Sequence, residues 1–281
     1  MPAADDAWPA PAKINLFLHV TGRRTDGYHR LQTVFQFLDY GDRLHFTVRT
    51  DGRIRRCSEL AGVAPDDDLA VRAARLLQTE TGCRLGADID VEKRLPLGGG
   101  LGGGSSNAAT TLVALNALWR LGLNEDHLAE LGLRLGADVP VFVRGRAAWG
   151  EGVGEQLQAV ELPQPWFLVV TPPVSIATAA VFQAPELTRD CPPITIRDFL
   201  AGAGGNVCEP VVRTRYPAVA EALDWLEGFS KARLSGTGSS VFAAFARQDD
   251  ALRAAEQAPA GWQKIVARGR NRSALLERLT R

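Results

Sequence analysis

Apolar and polar positions follow two periods along this chain, and the elements are read from where one gives way to the other. Residues 12–20 form an apolar run interrupted by Lys13, Asn15 and His19, which reads as a strand. Residues 31–38 and 44–48 read as strands too, and the Asp51-Gly52 turn signal predicts a hairpin into residues 53–57. From Leu69 the period is helical. Leu69, Ala73, Leu76 and Leu77 share a face over 69–79, and Gly82 is a fitting stop. Asp66, Asp67 and Asp68 just before it read as partners of the helix dipole rather than metal ligands. Residues 87–91 alternate as a strand. Helical spacing returns at Leu112, Leu115 and Trp119, predicting a helix over 107–119, and again over 125–135 with Gly136 as its stop. Pro140 is expected to push Val139 out of helical geometry, which leaves Asp138 between a helix end and a proline. Beyond it the pattern predicts strands over 166–170, 241–245 and 264–267, and helices over 175–182, 216–229 and 250–257. Residues 1–7 read as a loose tail, and Asp26-Gly27 as a turn.

Strand blocks mixed with helices argue for an α+β fold of two lobes with a ligand cleft between them. Pro163-Gln164-Pro165 is the candidate boundary, dividing the chain into 1–162 and 163–281. No internal repeat of solenoid period is visible.

Composition narrows the function classes. The 281 residues are 46% hydrophobic and 23% charged with a formal net charge of +0, which argues against a broad nucleic-acid or membrane footprint. Cys57, Cys83, Cys191 and Cys208 are scattered without a C-x-x-C, so reduced thiols and a cytoplasmic setting are expected. The four histidines make no H-E-x-x-H, so no zinc site is expected. No export signal is read at the start and no run reaches ~18 apolar residues, so no membrane span is expected. With no heptad and no large patch, a monomer or weak dimer is the expectation.

Against this ordinary background one stretch stands out: six of the seven positions from Gly98 to Gly104 are glycine. Glycine costs backbone entropy, and close approach of bare backbone to a ligand is one good reason for such a run. Leu101 interrupts it and an apolar helix follows at once, unlike a Gly/Ser linker. Gly98, Gly100 and Gly103 fit a G-x-G-x-x-G pattern, but without the strand–acid context of a dinucleotide site. No Gly-Lys-Ser/Thr ends the loop, which excludes a Walker-type loop. A Gly-rich loop running into a helix N-terminus remains a phosphate cradle of another type. Ser105 and Ser106 at its end suit phosphate or Mg²⁺ contact and suit helix capping equally. Lys93 and Arg94 before it fit either a nucleotide contact or a solvated strand end.

The stretch from Pro96 to Ala108 resembles the nucleotide-binding motif of the GHMP kinase superfamily. Pro11-Ala12-Lys13-Ile14-Asn15-Leu16 resembles its first motif, and the stretch from Leu234 to Phe242, with its second glycine loop, resembles its third. Thr25-Asp26-Gly27-Tyr28-His29 and Gly136-Ala137-Asp138-Val139-Pro140-Val141-Phe142 resemble the branch that phosphorylates the 2-hydroxyl of a cytidine diphosphate-linked methylerythritol, in the non-mevalonate route to isoprenoid precursors. The resemblance implies the same two-lobe plan, a small-molecule phosphotransferase, and ATP with Mg²⁺ as cofactors. It implies that Pro96, Leu97, Gly98, Gly99, Gly100, Leu101, Gly102, Gly103, Gly104, Ser105 and Ser106 bind ATP, and that Gly236, Thr237 and Gly238 close over the phosphates from the second lobe. It makes Lys13 and Asp138 the catalytic pair, and Asn15, Tyr28, His29 and Phe182 the substrate contacts. Read from the residues alone, Asp138 is a loop aspartate, Lys13 a strand-end lysine and Phe182 a core residue on a helix. A proline common in that branch is replaced by small residues around Ala179, and no carboxylate set marks a Mg²⁺ site.

Overall fold

The alternation read at residues 12–20 runs much further in the computed structural model, which describes residues 6–25 and 27–280. In chain order the elements are β1 (Trp8–Arg23), β2 (His29–Arg49), β3 (Ile54–Arg56), α1 (Leu69–Thr81), β4 (Gly86–Glu92), α2 (Gly103–Leu118), α3 (Glu125–Leu133), α4 (Val139–Arg144), β5 (Ala148–Glu151), β6 (Gln156–Ala159), β7 (Trp166–Thr171), α5 (Thr178–Phe182), α6 (Ile196–Leu200), α7 (Glu209–Arg215), α8 (Pro217–Glu227), β8 (Ala232–Leu234), β9 (Val241–Phe245), α9 (Gln248–Glu256), β10 (Gln263–Arg270) and α10 (Ala274–Leu279). The loose tail expected at 1–7 and the turn residue Asp26 lie largely outside the described residues.

β1 and β2 form one long antiparallel ribbon, from Trp8↔Leu44 to Arg23↔His29. The other edge of β2 is shared in turn by β5 (at Thr33–Phe35), β10 (at Phe37 and Leu38) and β4 (at Arg43–Arg49). The sheet order continues β10-β7-β9-β8, so β2 meets both halves of the chain. One core lies among α1 to α4 and the sheet, with Phe37, Leu44, Leu77, Ile89, Leu112 and Phe142 buried together. A second holds Val20, Leu168, Val170, Val212, Leu223 and Leu234. A third joins Ile14, Leu38, Leu95 and Leu101 to Phe167, Val169, Phe242 and Ile265. Each such side chain contributes about 1.5–3 kcal/mol by leaving water, so this bridging core holds the cleft walls in register.

Four local expectations are corrected. β3 does not fold back on β2; it pairs in parallel with β4, which takes the inner place because Ala87, Ile89 and Val91 alternate inward. The helix expected from residue 107 begins at Gly103, with Gly102 in the left-handed region at φ 72° as its N-cap. Val139 is helical, because Pro140 sits in the first turn of α4, where its missing N–H costs nothing. The helix expected over 175–182 is confined to Thr178–Phe182.

Candidate active site

Lys13 and Asn15 sit two apart on β1 and share its inner face, with shifts of register on either side of them. Both are buried. The Lys13 ammonium donates to Asn15 Oδ1 at 2.5 Å and to the Gly100 carbonyl at 3.2 Å, and lies 3.3 Å from Asp138 Oδ2. Asn15 is held in turn, its amide donating to Thr33 Oγ1 at 2.9 Å. Asp138 precedes α4 and keeps its carboxylate open to the cleft, with 36% side-chain exposure. A buried ammonium needs such partners, because an unpaired charge is costly to enclose.

The two glycine loops interlock. The Ser235 hydroxyl donates to the Gly100 carbonyl at 3.0 Å, and the Ser240 amide donates to the Gly99 carbonyl at 3.1 Å. Gly100 has φ 73°, and a Cβ there would lie 2.3 Å from the Ser235 carbonyl oxygen. A Cβ on Gly102 would meet the Phe142 ring at 2.6 Å and Lys13 Cε at 3.1 Å. Bare backbone at these positions is what lets the glycine loop lie against the lysine. Asn206 secures the second loop by donating to the Leu234 and Gly236 carbonyls.

These elements enclose a cleft of about 760 Å³. Lys13, Asn15, Asp138, Gly236 and Thr237 line it, together with every residue from Pro96 to Ser105. Gly103, Gly104 and Ser105 form the first turn of α2, whose amides have no intrahelical partner. Those amides and the positive helix end suit a polyphosphate. Tyr28, His29 and Phe182 line the same cleft, and the His29 and Phe182 rings stack with centroids 5.3 Å apart. Ala179 belongs to that wall, with Thr178 and Gln183.

Two expected site residues face elsewhere. Ser106 is fully buried and its hydroxyl donates to the Pro11 carbonyl at 2.7 Å, so it ties α2 to β1 rather than lining the cleft. Neither serine caps α2, whose N-cap is Gly102. Gly238 is outside the lining as well; its amide closes the second loop on the Ser235 carbonyl at 2.9 Å.

The chain matches the descriptions "GHMP kinases N terminal domain" over residues 68–146 and "GHMP kinases C terminal" over residues 194–264. It is 63% identical over 270 residues to the 4-diphosphocytidyl-2-C-methyl-D-erythritol kinase of Nitrosococcus oceani, covering 96% of each chain. The chain belongs to the GHMP kinases. The kinase of the same name from Halorhodospira halophila is 63% identical over 271 residues, covering 95% of this chain and 94% of its own. A crystal structure of 4-(cytidine 5'-diphospho)-2C-methyl-D-erythritol kinase superposes with a TM-score of 0.81 at 34% identity, covering 94% of this chain and 98% of that one. The Methanococcus jannaschii mevalonate kinase shares the fold, with a TM-score of 0.69 at 15% identity over 93% of this chain and 97% of its own. This GHMP kinase is therefore a small-molecule kinase, with the mixed α/β fold of its family.

Sequence reasoning missed several residues that hold the site of this kinase. Asp42 is buried and accepts from the Lys93 ammonium at 2.6 Å and from the Arg94 and Leu95 amides at 2.7 and 2.8 Å. It thereby aims the strand end that feeds the glycine loop, and Lys93 lines the cleft beside it. Asn206 was invisible for the same reason, and Ser235 stood within the third motif without any sign of its bond to the Gly100 carbonyl: each acts on backbone distant in sequence. Among the described residues, no group of three or more His, Cys, Asp or Glu side chains is placed to hold a metal, and no helix is long and apolar enough to cross a membrane.

Proposed function

We propose that this kinase transfers the γ-phosphoryl group of ATP to the 2-hydroxyl of 4-diphosphocytidyl-2-C-methyl-D-erythritol, the acceptor that its relatives' names carry. One observation carries the reading: the Lys13–Asp138 pair stands in a single cleft with a helix N-terminus for phosphates and an aromatic pocket for a base. In the transfer the acceptor oxygen bonds to the γ-phosphorus as the bond to the bridging oxygen breaks, and ADP leaves. The transition state is largely loose, so the acceptor hydroxyl becomes acidic late, and the Asp138 carboxylate then takes its proton. The Lys13 ammonium stabilises charge on the acceptor oxygen and the transferring group. The loop from Pro96 to Ser105 holds ATP, with Gly236 and Thr237 opposite. Tyr28, His29 and Phe182 take the cytosine, and Asn15 contacts the substrate from the cleft wall while its Oδ1 orients Lys13 beside the acceptor.

Mg²⁺ fits this site as an ion carried by the nucleotide. Magnesium is commonly held by few protein groups and by phosphate oxygens. Ser105 offers a hydroxyl on the cleft wall. The ion, when bound, neutralises charge on the phosphates.

Residues 1–162 and 163–281 are proposed as the two lobes. A cytoplasmic setting is supported by four free thiols, with burial pushing the Cys208 thiol up to about 12. A monomer or weak dimer is supported by large exposed apolar side chains that lie on separate elements, such as Leu133, Leu200 and Leu279.

The test is ADP release from ATP and Mg²⁺ with the cytidylated acceptor, beside methylerythritol phosphate and mevalonate. Turnover with the cytidylated acceptor alone is expected. Turnover with mevalonate would keep the kinase and discard the acceptor. No turnover in a protein that binds ATP would favour a silent binder on the same scaffold.

A further inference from the structure

His29 opens β2 and Phe182 closes α5, yet their rings stack at an interplanar angle of 25°. Arg189, on the connection from α5 to α6, touches both walls. Its Nε donates to His29 Nε2 at 3.2 Å. Its Nη2 donates to the Phe182 and Ala184 carbonyls at 2.9 and 2.7 Å, and its Nη1 to the Leu187 carbonyl at 3.0 Å. A guanidinium only donates and stays charged at any ordinary pH. The nitrogen it meets on His29 must therefore carry a lone pair, and on a neutral ring the proton is then on Nδ1.

We propose that Arg189 is a positioning residue for the base pocket: it ties His29 to the end of α5 that carries Phe182, and it sets Nδ1 as the protonated nitrogen of the neutral imidazole. This rests on the reading that the pocket takes the cytidine of the acceptor. The pyrimidine then meets a wall fixed in place and an uncharged ring whose one donor is set before binding.

The charged groups facing His29 are Arg189 and Arg23 of β1, while α5 presents the uncharged Phe182. Burial first, and then these two cations, hold the His29 imidazole below its ordinary value. Protonation would set an imidazolium N–H against the guanidinium N–H and release the wall. The sign follows: the acceptor site is intact at neutral pH and is lost as pH falls through the lowered His29 value. The glycine loops do not touch Arg189, so ATP binding is expected to be indifferent to it.

The experiment has two arms. Nitrogen-15 NMR of the His29 ring in substrate-free protein reads its tautomer and titration, and steady-state kinetics reads KM for acceptor and for ATP from acid to neutral pH. Both are run on wild type, Arg189→Met and Arg189→Lys. Wild type should show Nδ1–H. Arg189→Met should raise the His29 titration point, move the acid rise in acceptor KM to higher pH, and raise that KM by ~10-fold or more at neutral pH while leaving KM for ATP unchanged. Arg189→Lys keeps the charge and loses the fork, so the titration point should stay low while acceptor KM is only partly restored. A scaffolding role alone would raise KM without moving the titration. Nε2–H in wild type, an unmoved titration in Arg189→Met, or an unchanged acceptor KM would overturn the proposal. The NMR arm needs no acceptor. A protein with Nδ1–H and the shifted titration that phosphorylates no cytidylated alcohol would keep this account of His29 and discard the acceptor.

Discussion

Lys13 is enclosed, with Asp138 3.3 Å away at a position reached only after the whole glycine loop. Apposed to the cleft, the pair has a geometry suited to moving one proton and steadying one phosphoryl group. Lys13→Ala and Asp138→Ala should each lower kcat by ~10²-fold or more, read as ADP release at saturating substrates. Near-normal turnover in either variant would remove that residue from the chemistry. Ser105 and Ser106 make a sharper contrast, being adjacent and identical in kind. One helical step turns Ser105 to the cleft and Ser106 into the core against the Pro11 carbonyl. Ser106→Ala should lower unfolding stability by about 1–3 kcal/mol in a denaturant titration and leave KM for ATP alone, because it strands a buried acceptor. Ser105→Ala should do the reverse.

Among elements, the glycine loop and α2 show why spacing misplaced a helix start. Glycines are poor helix formers, so the pattern predicts a helix only from residue 107. Packing overrides that penalty, since α2 is buried continuously from Ser106 to Leu115. The loop before it tolerates little. Gly100→Ala should raise KM for ATP at least ~10-fold and lower stability by about 1–3 kcal/mol, since its backbone is left-handed and the Ser235 carbonyl stands where the methyl would go. Gly205→Ala is the control, for a Cβ there meets nothing within 4 Å, and its KM for ATP should match wild type. Equal effects of the two substitutions would show that the loop's interlock is unimportant. The mistaken hairpin has a similar origin. Asp51-Gly52 marks a turn correctly, but which strand the chain then joins depends on β4, which lies beyond the whole of α1.

At the scale of the molecule, the cleft is held by a core drawn from both halves of the chain. α10 also returns to the first core, where Leu275 is buried in the same cluster as Phe37, Leu112 and Phe142. Leu275→Ala should therefore cost about 2–5 kcal/mol, lowering the Tm of one calorimetric transition rather than splitting it. Two separated transitions would mean that the halves unfold independently. The α+β class, the order of the main strands and helices, the glycine loop and the candidates Lys13, Asp138, Tyr28 and His29 are all legible in the amino-acid sequence. They depend on local period, on glycine's backbone freedom and on motifs contiguous along the chain.

What lay beyond the sequence is whatever depends on contacts between distant segments. Nothing in the spacing of Asp42 shows that three donors from residues 93–95 converge on it. Nothing around Arg189 or Asn206 marks the ring and the carbonyls they hold. Residue type and local pattern by themselves determined the elements, the family motifs and the chemistry available. The tertiary structure alone decided which polar groups face the cleft and which are spent holding it, because burial and hydrogen-bond direction are set only when the strands have chosen their neighbours.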